Sequence, residues 1–195
     1  MIKFSGELIL ASQSPRRQEI LEKLGLPFQV RALDIDESFS SQLPADQVPA
    51  YLAEKKARAF GDLAANQVIL AADTVVVAPS GEILNKPSTT EEAYDMLMSL
   101  SGKTHMVVTA FCVRTSQQIS VRSDQAKVIF KELSSAEINH YIATCRPFDK
   151  AGGYGVQDFI GLAGVVHIEG SFYTIMGLPA HLVYEALQPW IQLHP

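Results

Sequence analysis

The segment Leu8-Ile9-Leu10-Ala11-Ser12-Gln13-Ser14-Pro15-Arg16-Arg17 joins an apolar run to the start of a helix. Residues 8–11 predict a buried strand. Ser14 is typical of a helix N-cap, and Pro15 is typical of a first helical residue. Apolar residues then recur at helical spacing until Gly25 ends the pattern. This strand–helix unit indicates an α/β fold.

Two arginines lie in the first turn of that helix, where the helix dipole disfavours them. The N-terminus carries roughly half a positive charge, so each arginine there costs about 0.3 kcal/mol or more. A bound anion reverses the sign, because backbone N–H groups, serine hydroxyls and guanidinium groups all donate to phosphate oxygens. Arg16 and Arg17 are therefore either a solvated surface pair or part of a phosphate site. Ser12 and Ser14 beside them favour the phosphate site.

Length and composition set the class of protein. The chain has 195 residues, enough for one α/β domain over residues 1–195 or for two small lobes sharing a cleft. A net charge of −5 argues against broad nucleic-acid binding. The two cysteines, Cys112 and Cys145, match neither a disulfide framework nor a metal pattern. With no signal peptide and no membrane-spanning run, we expect a soluble, cytoplasmic protein.

The remaining pattern predicts helices and strands that alternate at first and are followed mainly by strands. Ser134 with Glu137, and Thr89 with Glu92, match capping boxes. Together these elements indicate a mixed α/β sheet flanked by helices. The expected strands are 27–32, 68–77, 82–87, 106–114, 119–130, 164–169 and 172–175, and the expected helices are 49–64 and those that begin at 90, 135 and 179.

Asp73 interrupts the most apolar strand of the chain. A buried carboxylate without a partner costs several kcal/mol. Asp73 must therefore be paired, be protonated, or face a ligand, a metal or a neighbouring loop at the end of the strand. Thr74 beside it offers a hydroxyl that could orient a ligand. If the acidic loop that contains Glu37 folds against Asp73, the two carboxylates form a site of hard oxygen ligands for Mg²⁺ or Mn²⁺.

Several other residues are candidates for ligand contact, although each alone is also typical of a protein surface. Lys56 lies on a predicted helix, and Lys86 lies in a predicted hairpin. Lys150 precedes the glycine pair Gly152-Gly153, and the amide of Gln157 can recognise donors and acceptors on a base edge. The five histidines lack metal-binding spacing and are interpreted as structural or surface groups. Serine-hydrolase, P-loop and dinucleotide motifs are absent from the sequence.

Taken together, these motifs resemble the Maf family of nucleoside triphosphate pyrophosphatases over residues 8–187. The resemblance implies an α/β fold related to inosine-triphosphate pyrophosphatases, a cleft between two lobes, and a homodimer. It rests on the opening segment and on these further motifs: Lys56-Ala57, Ala72-Asp73-Thr74, Lys86-Pro87, Leu100-Ser101-Gly102-Lys103-Thr104-His105, Lys150-Ala151-Gly152-Gly153-Tyr154-Gly155-Val156-Gln157 and Gly177-Leu178-Pro179.

The resemblance also implies roles for individual residues. Asp73 would be the catalytic carboxylate, and with Glu37 it would bind a divalent cation, Mg²⁺ or Mn²⁺. The triphosphate would be bound by Ser12, Arg16, Arg17, Lys56 and Lys86. Base preference would be set by Arg16, Thr74 and Gln157, a combination similar to the branch that hydrolyses dTTP and UTP.

Two residues depart from the family pattern: Lys55 replaces the usual glutamate, and Asp158 replaces the usual glycine after Gln157. Lys55 is interpreted as a surface residue. Two alternatives remain open on the sequence alone. One is a pyrophosphatase for 7-methyl-GTP or another modified nucleotide, and the other is a non-catalytic nucleotide-binding regulator of cell division.

Overall fold

The structure is a computed structural model that describes residues 2–193. The interpretation of His194 falls outside these residues. The strands are β1 Ile2–Phe4, β2 Glu7–Leu10, β3 Gln29–Val30, β4 Gln67–Val77, β5 Ile83–Leu84, β6 Thr104–Arg114, β7 Ile119–Phe130, β8 Val165–Glu169 and β9 Ile191–Leu193. The helices are α1 Pro15–Lys23, α2 Val48–Arg58, α3 Thr90–Leu100, α4 Ser135–Cys145, α5 Phe159–Gly164, α6 Phe172–Met176 and α7 Ala180–Leu187.

A seven-stranded mixed sheet forms the centre of the fold. Its order is β3-β2-β4-β6-β7-β8, and β5 pairs with β4 off this path. Strand β2 is parallel to both β3 and β4, whereas β4–β5 and β7–β8 are antiparallel. A second sheet of two strands pairs β1 with β9. The prediction of a mixed α/β sheet flanked by helices is thus confirmed.

The chain divides into two compact units. The first combines Met1–Asp73, Thr109–Asp124 and Gly177–Pro195, and the second combines Thr74–Val108 and Gln125–Met176. The chain therefore passes from the first unit to the second between Asp73 and Thr74.

The core of the first unit explains why the strands read as continuous apolar runs. Leu8 pairs with Val68, and Leu10 with Leu70, in the parallel register of β2 and β4. All four side chains are at most 2 % exposed. Parallel strands that are covered on both faces lose the alternation of apolar and polar residues. This is the physical origin of the apolar pattern from which the fold was predicted.

In the second unit, α3 and α4 both bury apolar side chains, and each begins at a predicted capping box. The side chain of Ser134 accepts a hydrogen bond from the backbone of Glu137, whose carboxylate accepts one in return, so the predicted capping box of α4 is complete. At α3 only half of the box forms. Thr89 accepts from the backbone of Glu92, but the carboxylate of Glu92 accepts from the N–H of Ser88 instead.

Helix α2 ends at Arg58, so the prediction that it extends to residue 64 is wrong. The guanidinium of Arg114 donates to the carbonyl oxygens of Ala57 (2.8 Å) and Arg58 (3.3 Å), and also to that of Gly61. It thereby satisfies carbonyl groups that a longer helix would have bonded internally. Gly61 adopts a positive φ of 63° just beyond the helix. Ala59, the first residue beyond the helix, is exposed.

Residues 172–175 form part of helix α6, so the prediction of a final strand there is also wrong. The aromatic and β-branched residues of this segment favour a strand by propensity alone. In the structure, Thr174 and Ile175 instead donate their backbone N–H groups to the carbonyl of Ser171, which makes a local helical turn. Helix α5 was not predicted either, because two of its six residues, Gly161 and Gly164, are glycines, which disfavour a helix. Among residues 2–193, no helix has the length and hydropathy needed to cross a bilayer.

Candidate active site

Asp73 is the last residue of β4 that belongs to the first unit, and only 8 % of the residue's surface is exposed. Its Oδ1 accepts a hydrogen bond from Nζ of Lys56 at 2.6 Å. Lys56 extends from α2, the helix whose Ala53 and Ala57 pack into the same core as β2 and β4. Of the states that the sequence left open for Asp73, the structure therefore contains the ion pair.

A second carboxylate faces the same ammonium group. Oε1 of Glu37 lies 2.8 Å from Nζ of Lys56. The side chain of Glu37 is 54 % exposed, whereas that of Asp73 is 12 % exposed. Two carboxylates thus converge on one cation, one from the buried strand and one from the solvent side. The expectation that the acidic loop folds against Asp73 is consistent with this geometry.

The acidic loop is also attached to α2 one residue earlier. Nζ of Lys55 donates to the carbonyl of Ser38 at 3.1 Å and to Oδ2 of Asp36 at 3.3 Å. Hydrogen bonds from Ser38, and then the hydrogen bond from Lys55, hold the pKa of Asp36 below its usual value. Lys55 is therefore more than the isolated surface residue that the sequence suggested. Its role could have been anticipated only from two acidic residues facing two consecutive lysines.

The start of α1 is organised around the Ser12 hydroxyl. Nη1 of Arg17 donates to Oγ of Ser12 at 3.0 Å, and the backbone N–H of Ser14 donates to the same oxygen at 3.2 Å. Nε of Arg17 donates to the carbonyl of Gly177 at 2.8 Å. Ser14 is the N-cap by position, as predicted, but its side chain makes no capping hydrogen bond.

Arg17 is electrostatically linked to the carboxylates. Burial lowers the pKa of Arg17, while the negative charge of Asp73 and then that of Glu37 raise it, and the neighbouring charge of Arg16 lowers it. These four residues therefore interact within one local field. The structure brings together six of the predicted site residues in the first unit: Ser12, Arg16, Arg17, Glu37, Lys56 and Asp73.

The remaining predicted site residues belong to the second unit. Thr74 is half-buried on β4, and Lys86 is exposed two residues after the end of β5. Gln157 is half-buried, and its Oε1 is completely buried without a hydrogen-bond partner among the described residues. A buried acceptor without a donor costs about 1 to 3 kcal/mol. The amide oxygen of Gln157 is therefore an acceptor that the described residues leave unsatisfied.

The donor set fits a divalent cation that retains water. The ammonium of Lys56 shows that Asp73 and Glu37 can direct oxygen atoms at a single positive charge. Within residues 2–193, no group of three or more His, Cys, Asp and Glu side chains is arranged to hold a metal ion. Mg²⁺ does not require such a group, because it commonly binds through one or two carboxylates together with water and substrate phosphates.

These observations describe an α/β protein whose central strand carries a buried aspartate, with lysine and arginine side chains gathered around it. The chain belongs to the Maf-like protein family, whose model matches residues 7–190. It is 44 % identical to a dTTP/UTP pyrophosphatase of Porphyromonas gingivalis over 186 residues, which cover 93 % of each chain. It is 41 % identical to a dTTP/UTP pyrophosphatase of Flavobacterium johnsoniae over 182 residues, again 93 % of each chain.

One solved structure shows a weaker similarity. A HAM1 protein from Coxiella burnetii superposes with a TM-score of 0.46 at 17 % identity, over 64 % of this chain and 72 % of that one. This likeness is too distant to support conclusions about the site.

Proposed function

We propose that this protein hydrolyses dTTP and UTP between the α- and β-phosphates, giving the nucleoside monophosphate and pyrophosphate. The observation that carries the proposal is the buried Asp73 carboxylate, held by Lys56 and sharing its field with Arg17. The activity named for the relatives from Porphyromonas gingivalis and Flavobacterium johnsoniae supports the same reaction.

The start of α1 is the proposed phosphate-binding element. Oγ of Ser12 accepts from two groups that can only donate, the guanidinium of Arg17 and the N–H of Ser14. The hydroxyl hydrogen is then the remaining donor of Ser12. A phosphate oxygen would accept it together with hydrogen bonds from Arg16 and Arg17. These guanidinium groups, with Lys56, would stabilise the charge that develops on the pyrophosphate leaving group. Lys86, exposed in the second unit, is proposed to contribute a further cation.

Asp73 is the proposed catalytic residue. As a proton acceptor, its carboxylate would take a proton from the attacking water. As a ligand, it would help to hold a divalent cation with Glu37. Mg²⁺ or Mn²⁺ bound there would neutralise phosphate charge and lower the pKa of a coordinated water.

Base preference is assigned to Arg16, Thr74 and Gln157. The strongest support comes from Gln157, because its buried Oε1 has no donor among the described residues. Uracil and thymine present an N–H group on the pyrimidine ring that can satisfy this acceptor. Cytosine presents an unprotonated nitrogen at the same position, so a fixed amide oxygen there would select against it.

The protein is further proposed to be a cytoplasmic homodimer. Its two cysteines are free, as is typical of proteins in a reducing compartment. Leu162 on α5 and Val166 on β8 are 81 % and 61 % exposed, close together in the chain. Burying them against a second copy would stabilise a dimer. Light scattering of the wild type and of Leu162→Asp tests this, with a change from dimer to monomer expected.

The decisive experiment measures pyrophosphate release from dTTP, UTP, dCTP and 7-methyl-GTP, with Mg²⁺, with Mn²⁺ and with EDTA. We expect release from dTTP and UTP that requires the metal. Preferential hydrolysis of 7-methyl-GTP would refute the substrate assignment. Nucleotide binding without release of pyrophosphate would indicate a regulator instead of an enzyme. Release of orthophosphate alone would show cleavage at the wrong bond.

A further inference from the structure

Gln157 lies at the corner of a tight turn in the second unit. The backbone N–H of Asp158 donates to the carbonyl of Gly155 at 3.0 Å, which closes a four-residue turn with Gln157 in its third position. The turn therefore sets the direction in which the Cα–Cβ bond of Gln157 leaves the backbone.

One hydroxyl holds both ends of the turn. The backbone N–H of Gly155 donates to the Tyr141 hydroxyl at 3.0 Å, and that hydroxyl donates to Oδ2 of Asp158 at 3.0 Å. Tyr141 lies on α4 and is 0 % exposed. Burial, and then the charge of Asp158, raise the pKa of the Tyr141 hydroxyl, so it stays protonated and keeps its donor role.

The Asp158 carboxylate also faces a cation. Nζ of Lys150 lies 3.7 Å from Oδ2 of Asp158, and both side chains are largely buried. They cross over Gly155, where an added Cβ would lie 2.5 Å from Oδ2 of Asp158 and 3.1 Å from Cε of Lys150. Only glycine leaves room for this arrangement.

Asp158 makes these contacts and does not make the capping hydrogen bond that is usual at its position in the chain. It is the N-cap of α5, a position where aspartate normally accepts from a backbone N–H of the first turn. Its side chain makes no such hydrogen bond. The carboxylate instead accepts a hydrogen bond from Tyr141. The side chain of Asp158 therefore stabilises the turn and not the first turn of α5.

We infer that Asp158 is a positioning residue that fixes the amide of Gln157 for base recognition, acting through the Tyr141 hydroxyl. The inference rests on the proposed function, and it explains the residue that stands where the family pattern has glycine. A glutamine amide that can rotate offers either its oxygen or its nitrogen, and so accepts both thymine and cytosine. A fixed turn sets where the Gln157 side chain leaves the backbone, which narrows the positions that its amide can take and lets the site discriminate between them.

The test compares kcat/KM for dTTP and dCTP in the wild type and in Asp158→Ser, Tyr141→Phe and the double variant. Serine caps helices as well as aspartate does, so a purely capping role predicts no change. We expect the preference for dTTP to fall about tenfold in each single variant, as for loss of one charge-assisted hydrogen bond. The double variant should fall no further. KM for dTTP should rise, while kcat stays within about twofold.

The matched control is Asp149→Asn. Asp149 is the other carboxylate on Lys150, at 2.8 Å, and in the chain it lies outside the turn of residues 155–158. Its removal should leave the preference for dTTP unchanged. If Asp158→Ser does not fold, Asp158→Asn replaces it, because asparagine keeps the shape and lacks the charge.

Two results would overturn the inference: an unchanged preference in folded Asp158→Ser, or fully additive losses in the double variant. If the wild type releases no pyrophosphate, the proposed function fails. Calorimetric affinities for non-hydrolysable α,β-methylene analogues of dTTP and dCTP then still measure base discrimination. If the ratio of the dTTP-analogue affinity to the dCTP-analogue affinity is the same in the wild type and in the Asp158 variant, the positioning role is refuted independently of the proposed function.

Discussion

Replacing Asp73 by asparagine separates the chemistry of the site from its stability. Asparagine is nearly isosteric with aspartate. Its carbonyl oxygen can still accept a hydrogen bond from Lys56, whose Nζ lies 2.6 Å from Oδ1 of Asp73 in the wild type. Lys56 also keeps Glu37 at 2.8 Å and is not left as a buried cation without a partner. The stability cost should therefore be about 1 kcal/mol, the difference between a charged and a neutral acceptor. In a chain of this size, that corresponds to a fall in Tm of roughly 2 to 4 °C.

The effect on turnover should be much larger. Loss of the proton acceptor, or of one metal ligand, lowers kcat by about 10² or more, equivalent to roughly 2.7 kcal/mol of transition-state stabilisation. Pyrophosphate release at saturating dTTP measures kcat, and thermal unfolding measures Tm on the same preparation. Glu54→Gln serves as the control, because the Glu54 carboxylate pairs with Arg58 one turn further along α2, at 2.7 Å, and is not a proposed site residue. It should alter neither quantity.

The catalytic role of Asp73 would be refuted if folded Asp73→Asn kept kcat within about threefold of the wild type. It would also be refuted if the variant lost activity only by unfolding, because Asp73 would then stabilise the fold without taking part in the reaction.

Three further predictions concern stability. Arg114→Met should lower the free energy of unfolding in urea by about 2 kcal/mol by uncapping α2, whereas Arg122→Met, at a more exposed ion pair, should cost about 0.5 kcal/mol. Gly161→Ala should lower the free energy of unfolding by about 2 kcal/mol or more, because the added Cβ meets a backbone carbonyl. Gly164→Ala should lower it by about 1 kcal/mol or less, because the added Cβ meets only the end of a leucine side chain. Burial lowers the pKa of His105 to about 4, so the unfolded chain binds more protons between pH 6.5 and 4. Stability should fall by up to about 3 kcal/mol as pH decreases through that range, and urea titrations of His105→Gln should lack this contribution.

The sequence predicted the parts of the fold that depend on burial. Strands β2 and β4 were found because both of their faces are covered, which leaves a continuous apolar run. The capping box at Ser134 was found because it is a local interaction between residues three apart. By contrast, the end of α2 depends on Arg114, which is more than fifty residues away in the chain. No local pattern could reveal that contact.

The candidate site was predictable for a similar reason. An aspartate in an apolar strand requires a partner, and the structure supplies Lys56. The partner itself could not be chosen from several lysines without the packing of α2 against β4. The roles of Lys55 and Asp158 were missed, because each depends on a side chain brought close by folding, Asp36 in one case and Tyr141 in the other.

The Ser12 hydroxyl has a consequence for the speed of anion capture. Since Arg17 and the N–H of Ser14 both donate to its oxygen, the O–H dipole has one direction left before any ligand arrives. An arriving anion does not have to reorient a freely rotating group, and the reorganisation that solvent water would require is avoided. Ser12→Ala would remove this oriented O–H dipole and would leave Arg17 with one hydrogen-bond acceptor fewer. Ser12 therefore contributes a donor of fixed direction, whereas Arg17 contributes positive charge.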